Sequence, residues 1–280
     1  MNNIFIHRFI SVFCLAIILL LLNACVSVDK INSDRGPISG SIDVSKIPNA
    51  IPKNEPKSKY GNPASYVVFG KTYYVLNSNS NFVERGIASW YGEKFHGRRT
   101  SSGETYDMYG MTAAHKSLPL PTYVEVKNLN NGKKVILKVN DRGPFHENRI
   151  IDLSYTAAAK LDVLQKGTAL VEVRSINPNN YGNPSAPIEN PQVKVNTNAS
   201  GSNTGFYIQV GAYSELNNAI NMRKKLDPIA KNLITISESL INNQIVYRVR
   251  FGPISDITYA DDIVESLRKY EIFDHYITLD

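Results

Sequence analysis

Tyr123-Val-Glu-Val-Lys-Asn-Leu-Asn-Asn-Gly-Lys-Lys-Val-Ile-Leu-Lys-Val139 reads as two short strands around a tight turn. Tyr123 to Val126 and Lys134 to Val139 carry the β-branched and aromatic residues that suit a pleated surface. Asn130-Asn131-Gly132 between them supplies residues that accept positive φ, as a hairpin turn requires. Working outward, the same texture returns. Ile87-Ala-Ser-Trp-Tyr91 and Ala169-Leu-Val-Glu-Val173 are further strand-like runs, and Gly70-Lys71 sits between Tyr66-Val-Val-Phe and Tyr73-Tyr-Val-Leu as a second hairpin. One helix is expected, from Tyr155 to Leu164, with Ser154 as its N-cap. Many short strands with few helices point to a small β-barrel, with order beginning near Tyr66.

Beyond the barrel the texture changes. Asn177 to Thr204 is Pro, Asn, Ser and Gly with almost no large apolar residue, the composition of a linker. After it, Phe206-Tyr-Ile-Gln-Val210 and Ile245-Val-Tyr-Arg-Val-Arg-Phe251 alternate, and each leads through Gly-x-x-Ser-acid into a helical stretch. A constant offset of 41 pairs Ile208 with Val249, Val210 with Phe251, Ala219 with Ala260 and Leu226 with Leu267. This is a repeated strand–helix unit, with Ser214 and Ser255 as its expected N-caps. Extra strands near Leu233 to Ile236 and His275 to Leu279 complete a split βαβ sandwich. The fold class is therefore mostly β plus α+β: a barrel followed by a small ferredoxin-like domain.

The start of the chain carries an address. Arg8 precedes a 14-residue apolar run, Phe9 to Leu22, which is short for a membrane span and suits an export signal. It ends in Leu22-Asn23-Ala24-Cys25, which resembles a bacterial lipobox; the Cys25 thiol would take the lipid, and Val26 after it favours the outer membrane. The alternative is an ordinary signal or anchor helix with an incidental Cys. Cys14 lies in the segment to be removed, so no disulfide, thiol nucleophile or Cys-based metal site is available. The boundaries that follow are 1–24 signal, 25–62 flexible tether, 63–176 barrel, 177–204 linker and 205–280 second domain. The net charge of +6 comes without a dense Arg/Lys block, so an anionic wall or membrane is a better partner than nucleic acid.

Four carboxyls stand where chemistry could occur: Glu104, Asp107, Asp141 and Asp152, with His115 as a polar neighbour. Each has a bland reading. Glu104 and Asp107 fit solvated loop charges, Asp141 fits a turn brace or a partner of Arg142, Asp152 fits a helix approach, and His115 fits a satisfied core histidine. Trp90, Tyr91 and Tyr106 are sugar platforms or barrel core, and Arg142 is a glycan contact or rim decoration. No His/Cys/Asp spacing marks a metal site and no Gly-rich loop a nucleotide, so no cofactor is expected.

Only the ordered blocks tilt these readings, and they do so for the acids and His115. Gly86-Ile-Ala-Ser-Trp-Tyr-Gly-Glu-Lys-Phe-His-Gly-Arg-Arg-Thr100, Gly103-Glu-Thr-Tyr-Asp107, Thr112-Ala-Ala-His115, Val139-Asn-Asp-Arg-Gly-Pro-Phe145 and Arg149-Ile-Ile-Asp-Leu-Ser154 resemble the rare-lipoprotein-A family of septal lytic transglycosylases. Ser101-Ser102 departs from the Ala-Asn more frequent there. The resemblance implies a six-stranded double-psi β-barrel, with Glu104, His115 and Asp141 at the family's functional positions. Asp152 is equally suspect, since Ile-Asp-Leu resembles the Asp-bearing strand of related double-psi enzymes. It also implies an endolytic lyase acting on MurNAc–GlcNAc bonds of glycan strands stripped of stem peptides. There the substrate's own C6 hydroxyl is the nucleophile, the product ends in 1,6-anhydroMurNAc, and one carboxyl can serve as acid and then as base.

Phe206-x-x-Gln209-x-Gly211-x-Tyr213 and Arg248-Val-Arg-Phe-Gly-Pro253 resemble the SPOR domain, a septal peptidoglycan-binding module. Alternation sets Gln209, Arg248 and Arg250 opposite the apolar residues, where they could bond N-acetyl and hydroxyl groups. A ribonucleoprotein-like sheet is the other reading, disfavoured behind an export signal. Implied partners are denuded glycan, the membrane through Cys25, and septal division proteins. A non-catalytic, expansin-like wall-binding lipoprotein is the competing function.

Overall fold

The computed structural model describes residues 36–37, 42–146, 148–182 and 205–279. The signal segment 1–24, Cys25 and most of the 177–204 linker lie outside the described residues. Among the described residues no helix is long and apolar enough to cross a membrane.

Among the described residues the first domain has eight strands and one α-helix: β1 (Ser65–Val68), β2 (Lys71–Tyr74), β3 (Val83–Tyr91), β4 (Thr112–His115), β5 (Thr122–Asn128), β6 (Lys134–Asp141), β7 (Arg149–Ser154), α1 (Tyr155–Lys160) and β8 (Ala169–Ser175). Strands β1 and β2 form the hairpin expected around Gly70. The other six close into a barrel in the order β3-β7-β4-β6-β5-β8. Strands β5 and β6 pair as the opening hairpin predicts, with Val124 opposite Leu137 and Gly132 at φ +75° in the turn. Parallel pairs of β3 with β7 and β4 with β6 interleave the two halves of the barrel. Inside, Ala113, Val124, Val126, Leu137, Val139, Ile151, Leu153, Val171 and Val173 are buried against one another. Ser154 caps α1, its side chain accepting from the Ala157 amide at 3.2 Å. The helix stops at Lys160 rather than Leu164, because Asp162 takes a left-handed φ of +59° that a helix cannot continue.

Order does not begin near Tyr66: residues 42–62, which composition reads as tether, are structured. From Asp43 onward the chain forms a strap laid along the barrel. The Ala50 amide donates to Ile136 O at 3.0 Å and the Ser58 amide to Leu120 O at 2.8 Å. Asn62 bonds both the amide and the carbonyl of Leu120, at 2.7 and 2.8 Å. Glu55 receives Lys138 at 2.8 Å, and Ile47 and Ala50 pack on the core. Polar composition hides this order. The strap satisfies barrel backbone groups that would otherwise lack partners, a pairing no local pattern reveals.

The second domain runs β9 (Phe206–Tyr213), α2 (Leu216–Ala230), β10 (Ile234–Ile241), β11 (Gln244–Ile254), α3 (Ile257–Lys269) and β12 (Tyr276–Thr278). Its antiparallel sheet has the order β10-β11-β9-β12. All eight residues paired by the offset of 41 are buried in one cluster. The caps fall one residue later than Ser214 and Ser255. Glu215 precedes α2 without a side-chain cap, whereas the Asp256 carboxylate accepts from the Thr258 amide at 2.7 Å and the Tyr259 amide at 3.3 Å. Ile87 and Leu170, opposite each other on β3 and β8, join this second cluster, so the small domain packs on the barrel's outer face. Arg149 of β7 bonds both carboxylate oxygens of Asp261 in α3, at 3.0 and 2.6 Å.

Candidate active site

Two of the suspected acids lie in one row of the barrel. Ala114 on β4 stands opposite Asp141 on β6 and opposite Asp152 on β7, while Asp152 also faces Ser89 on β3. Residues directly opposite across paired strands share a face, so Ser89, Asp152, Ala114 and Asp141 form one row. Strands are spaced about 4.8 Å apart, which sets the two aspartate Cα atoms about 10 Å from each other. Ala114 packs outside the main core, in a small cluster with Tyr91, Tyr106 and Met108.

The two carboxyls live in different surroundings. Asp152 is pushed above the usual carboxylate range by burial, and the charge of Asp141 acts in the same direction. The hydrogen bond from Ser89 and the cations Arg149 and Lys116 oppose this without cancelling it. Ser89 Oγ donates to Asp152 Oδ1. Beside Oδ2 runs Gly143 at φ +131°, where a Cβ would stand 3.8 Å from that oxygen. Asp141 instead receives three donors on Oδ1: the Ser101 amide at 2.7 Å, Ser101 Oγ at 2.7 Å and the Arg142 amide at 2.8 Å. That pattern suits a carboxylate acceptor. The row thus sets a buried carboxyl raised by desolvation near one held by three hydrogen-bond donors, two unlike environments of the kind that assign different roles to paired carboxyls.

Glu104 overhangs β6 from the 100–104 loop. Its Oε1 accepts from Lys138 at 2.8 Å and its Oε2 from Asn140 at 2.7 Å. It is exposed and sits beside the row rather than in it. Asp107 is an exposed turn residue, accepting from the Tyr109 amide at 3.0 Å.

His115 is not brought to the acids. It is 1% exposed, and Nδ1 accepts from the amides of Ser117 and Leu118 at 3.2 and 3.1 Å. The proton therefore sits on Nε2, which donates to Glu84 at 3.1 Å. Following Ala114 on the strand, its side chain takes the opposite face from the row. Arg142, expected to meet glycan, is a brace: Nε and Nη2 donate to Gly61 O at 2.9 and 2.6 Å, and Nη1 to Leu118 O at 2.6 Å. Tyr91 and Tyr106 are 8% and 2% exposed and stack at 4.1 Å, so they form the bed under the row, not sugar platforms. Trp90 is half-buried, edge-on to Tyr155 at 6.0 Å and packed against the barrel core; following Ser89 on β3, it takes the opposite face from the row. Sequence reasoning passed over Ser89 and Glu84 and noted Ser101 only as a departure from the family pattern, because a lone Ser or Glu carries no signal until its partner is known.

On the small domain, Gln209 and Arg250 are side by side but 2% and 7% exposed. The Arg250 guanidinium lies 4.3 Å from the Tyr207 ring centre, and Gln209 donates to the Tyr276 hydroxyl. Contrary to the expectation of an open polar face, these two side chains are covered; Arg248 remains half-exposed. Among the described residues no group of His, Cys, Asp and Glu is arranged to hold a metal ion.

Comparison with known proteins agrees with this division. A family model described as lytic transglycolase matches residues 83–173, spanning the barrel strands, and a SPOR domain model matches residues 202–278. The endolytic peptidoglycan transglycosylase RlpA of Pseudomonas aeruginosa (strain UCBPP-PA14) is 41% identical over 271 residues, covering 81% of this chain and 79% of that protein. The chain belongs to the RlpA family. The RlpA of Vibrio cholerae is 38% identical over 274 residues, covering 96% of this chain and 94% of that protein. The solved RlpA SPOR domain from P. aeruginosa is 30% identical, covers 26% of this chain and 97% of that one, and has a TM-score of 0.25. The two family models make the barrel the double-psi barrel of the RlpA family and the second domain its SPOR domain.

Proposed function

We propose that this RlpA-family member is an endolytic peptidoglycan transglycosylase in which Asp152 is the acid and Asp141 the charge-bearing partner. The row Ser89–Asp152–Ala114–Asp141 carries the reading, because it places a buried carboxyl, raised above the usual carboxylate range, near a carboxylate fixed by three donors. Asp152 gives its proton to the glycosidic oxygen as the bond from the MurNAc anomeric carbon breaks. Asp141 faces the positive charge that develops on the ring. The C6 hydroxyl then closes on the anomeric carbon and its proton returns to Asp152, leaving the enzyme as it began. Water must stay out for the 1,6-anhydro ring to win over hydrolysis. Glu104, tethered by Lys138 and Asn140, lines the approach as a substrate-orienting group.

The finer parts of the reading rest on sequence: denuded strands as substrate, Cys25 as lipid anchor, the outer membrane facing the periplasm, and enrichment at the septum with division proteins. The SPOR domain holds the enzyme on the strands it cuts. Mass spectrometry of purified denuded strands after incubation tests the activity. New 1,6-anhydro ends are expected; bound but uncut strands would make the chain an expansin-like binder instead.

A further inference from the structure

We infer that Ser101 is a positioning residue for the Asp141 carboxylate, clamped in place by the strap residues Ser58 to Asn62. The inference rests on the reading of Asp141 just given. Ser101 meets Asp141 Oδ1 twice, with its amide and its hydroxyl, both at 2.7 Å. Its oxygen also receives the Arg142 amide at 3.2 Å, so the hydroxyl joins both residues that end β6 and begin the turn. Among the described residues every donor to Asp141 reaches Oδ1, and Oδ2 is left for the substrate.

A loop hydroxyl fixes a carboxylate only if the loop is itself fixed. Ser102 N donates to Asn140 O at 3.2 Å, tying the loop to β6 from the front. From behind, Ser58 Oγ donates to Ser102 O at 2.7 Å. Gly61 presses on the same loop: at φ +79°, a Cβ there would lie 2.6 Å from Ser101 O. The Gly61 carbonyl is gripped in turn by Arg142, the residue after Asp141. Strap, loop and carboxylate form three successive layers, each held by named hydrogen bonds. The stretch that composition reads as spacer therefore reaches the reacting group at second hand.

The test uses the purified full-length chain on denuded glycan strands, with kcat and KM measured separately. Ser101→Ala should lower kcat about tenfold, the size of one hydrogen bond to a charged group, with KM unchanged. Ser101→Thr keeps the hydroxyl and should return kcat close to wild type. Asp141→Asn is the control for the underlying reading and should lose at least about 10²-fold. Wild-type kcat in Ser101→Ala beside an inactive Asp141→Asn would overturn the positioning role while leaving the reading of Asp141 intact. Equal losses in Ser101→Ala and Ser101→Thr would also overturn it, because packing and not the hydroxyl would then matter. Normal turnover in Asp141→Asn would remove the reading itself.

Discussion

Replacing Gly61 by Ala tests whether the strap belongs to the catalytic architecture. Two costs combine there. An L-residue in the left-handed region loses about 1–2 kcal/mol, and Gly61 has φ +79°. The new Cβ would also lie 2.6 Å from the Ser101 carbonyl oxygen, which is backbone and cannot swing aside. The strap must move, and its carbonyl would leave the two Arg142 bonds at 2.9 and 2.6 Å. Hydrogen bonds to a charged group are worth about 1.5–3 kcal/mol each, discounted here because water can replace the strap. A total of about 3–5 kcal/mol follows, capped by whatever the strap contributes, since it can detach. Gly70 is the internal control: φ is +78° but nothing lies within 4 Å of its virtual Cβ. Gly70→Ala carries the conformational cost alone, partly offset by about 0.4–1 kcal/mol through the unfolded state. At about 2–4 °C per kcal/mol for a chain of this size, Gly61→Ala should melt at least about 6 °C lower, and Gly70→Ala only slightly lower. Turnover on denuded strands should fall about tenfold in Gly61→Ala, as in Ser101→Ala, and stay unchanged in Gly70→Ala. Matching melting temperatures and matching turnover in the two glycine variants would refute the clamp.

Three further outcomes are expected. Burial raises the native Asp152 value above its unfolded one, so the folded state binds the extra proton; stability is then greatest below about pH 4 for this group and falls as pH rises through the native value. Urea titrations of Asp152→Asn should lack that slope, so the variant gains on wild type toward neutral pH while losing turnover by about 10²–10⁴-fold; parallel pH curves would contradict the assignment. His115→Ala orphans the buried amides of Ser117 and Leu118 at about 1–3 kcal/mol each, so activity should fall with the folded fraction; an unchanged melting temperature with a collapsed kcat would return His115 to the chemistry. On the SPOR sheet, Arg248→Ala should weaken retention on amidase-treated sacculi, whereas Arg250→Ala should chiefly lower stability by about 0.5–2 kcal/mol through its stack on Tyr207; the reverse pattern in pull-down and melting experiments would show that the sheet opens to bind.

Much of this protein is written locally. Alternation in Tyr123 to Val139 and the Asn130-Asn131-Gly132 turn specify the β5–β6 hairpin, because side-chain period and positive φ are properties of a few adjacent residues. The offset of 41 announces the second fold, since equal units bury equal positions, and all eight paired residues do share a core. The motif blocks identify the family and bring Asp141 and Asp152 under suspicion. Tertiary structure decides what those residues meet. Parallel pairing of β3 with β7 and β4 with β6, joined by the antiparallel β4–β7 pair, aligns Ser89, Asp152, Ala114 and Asp141 across strands that are not in sequence order. Barrel closure also turns His115 toward Glu84 and Arg142 toward Gly61. Gln209 and Arg250 lie on the predicted face, yet Tyr276 and Tyr207 come from other positions to partner them. Strand periodicity encodes which way a side chain points, but lateral neighbours are chosen by long-range pairing, and the chemistry depends on the neighbours.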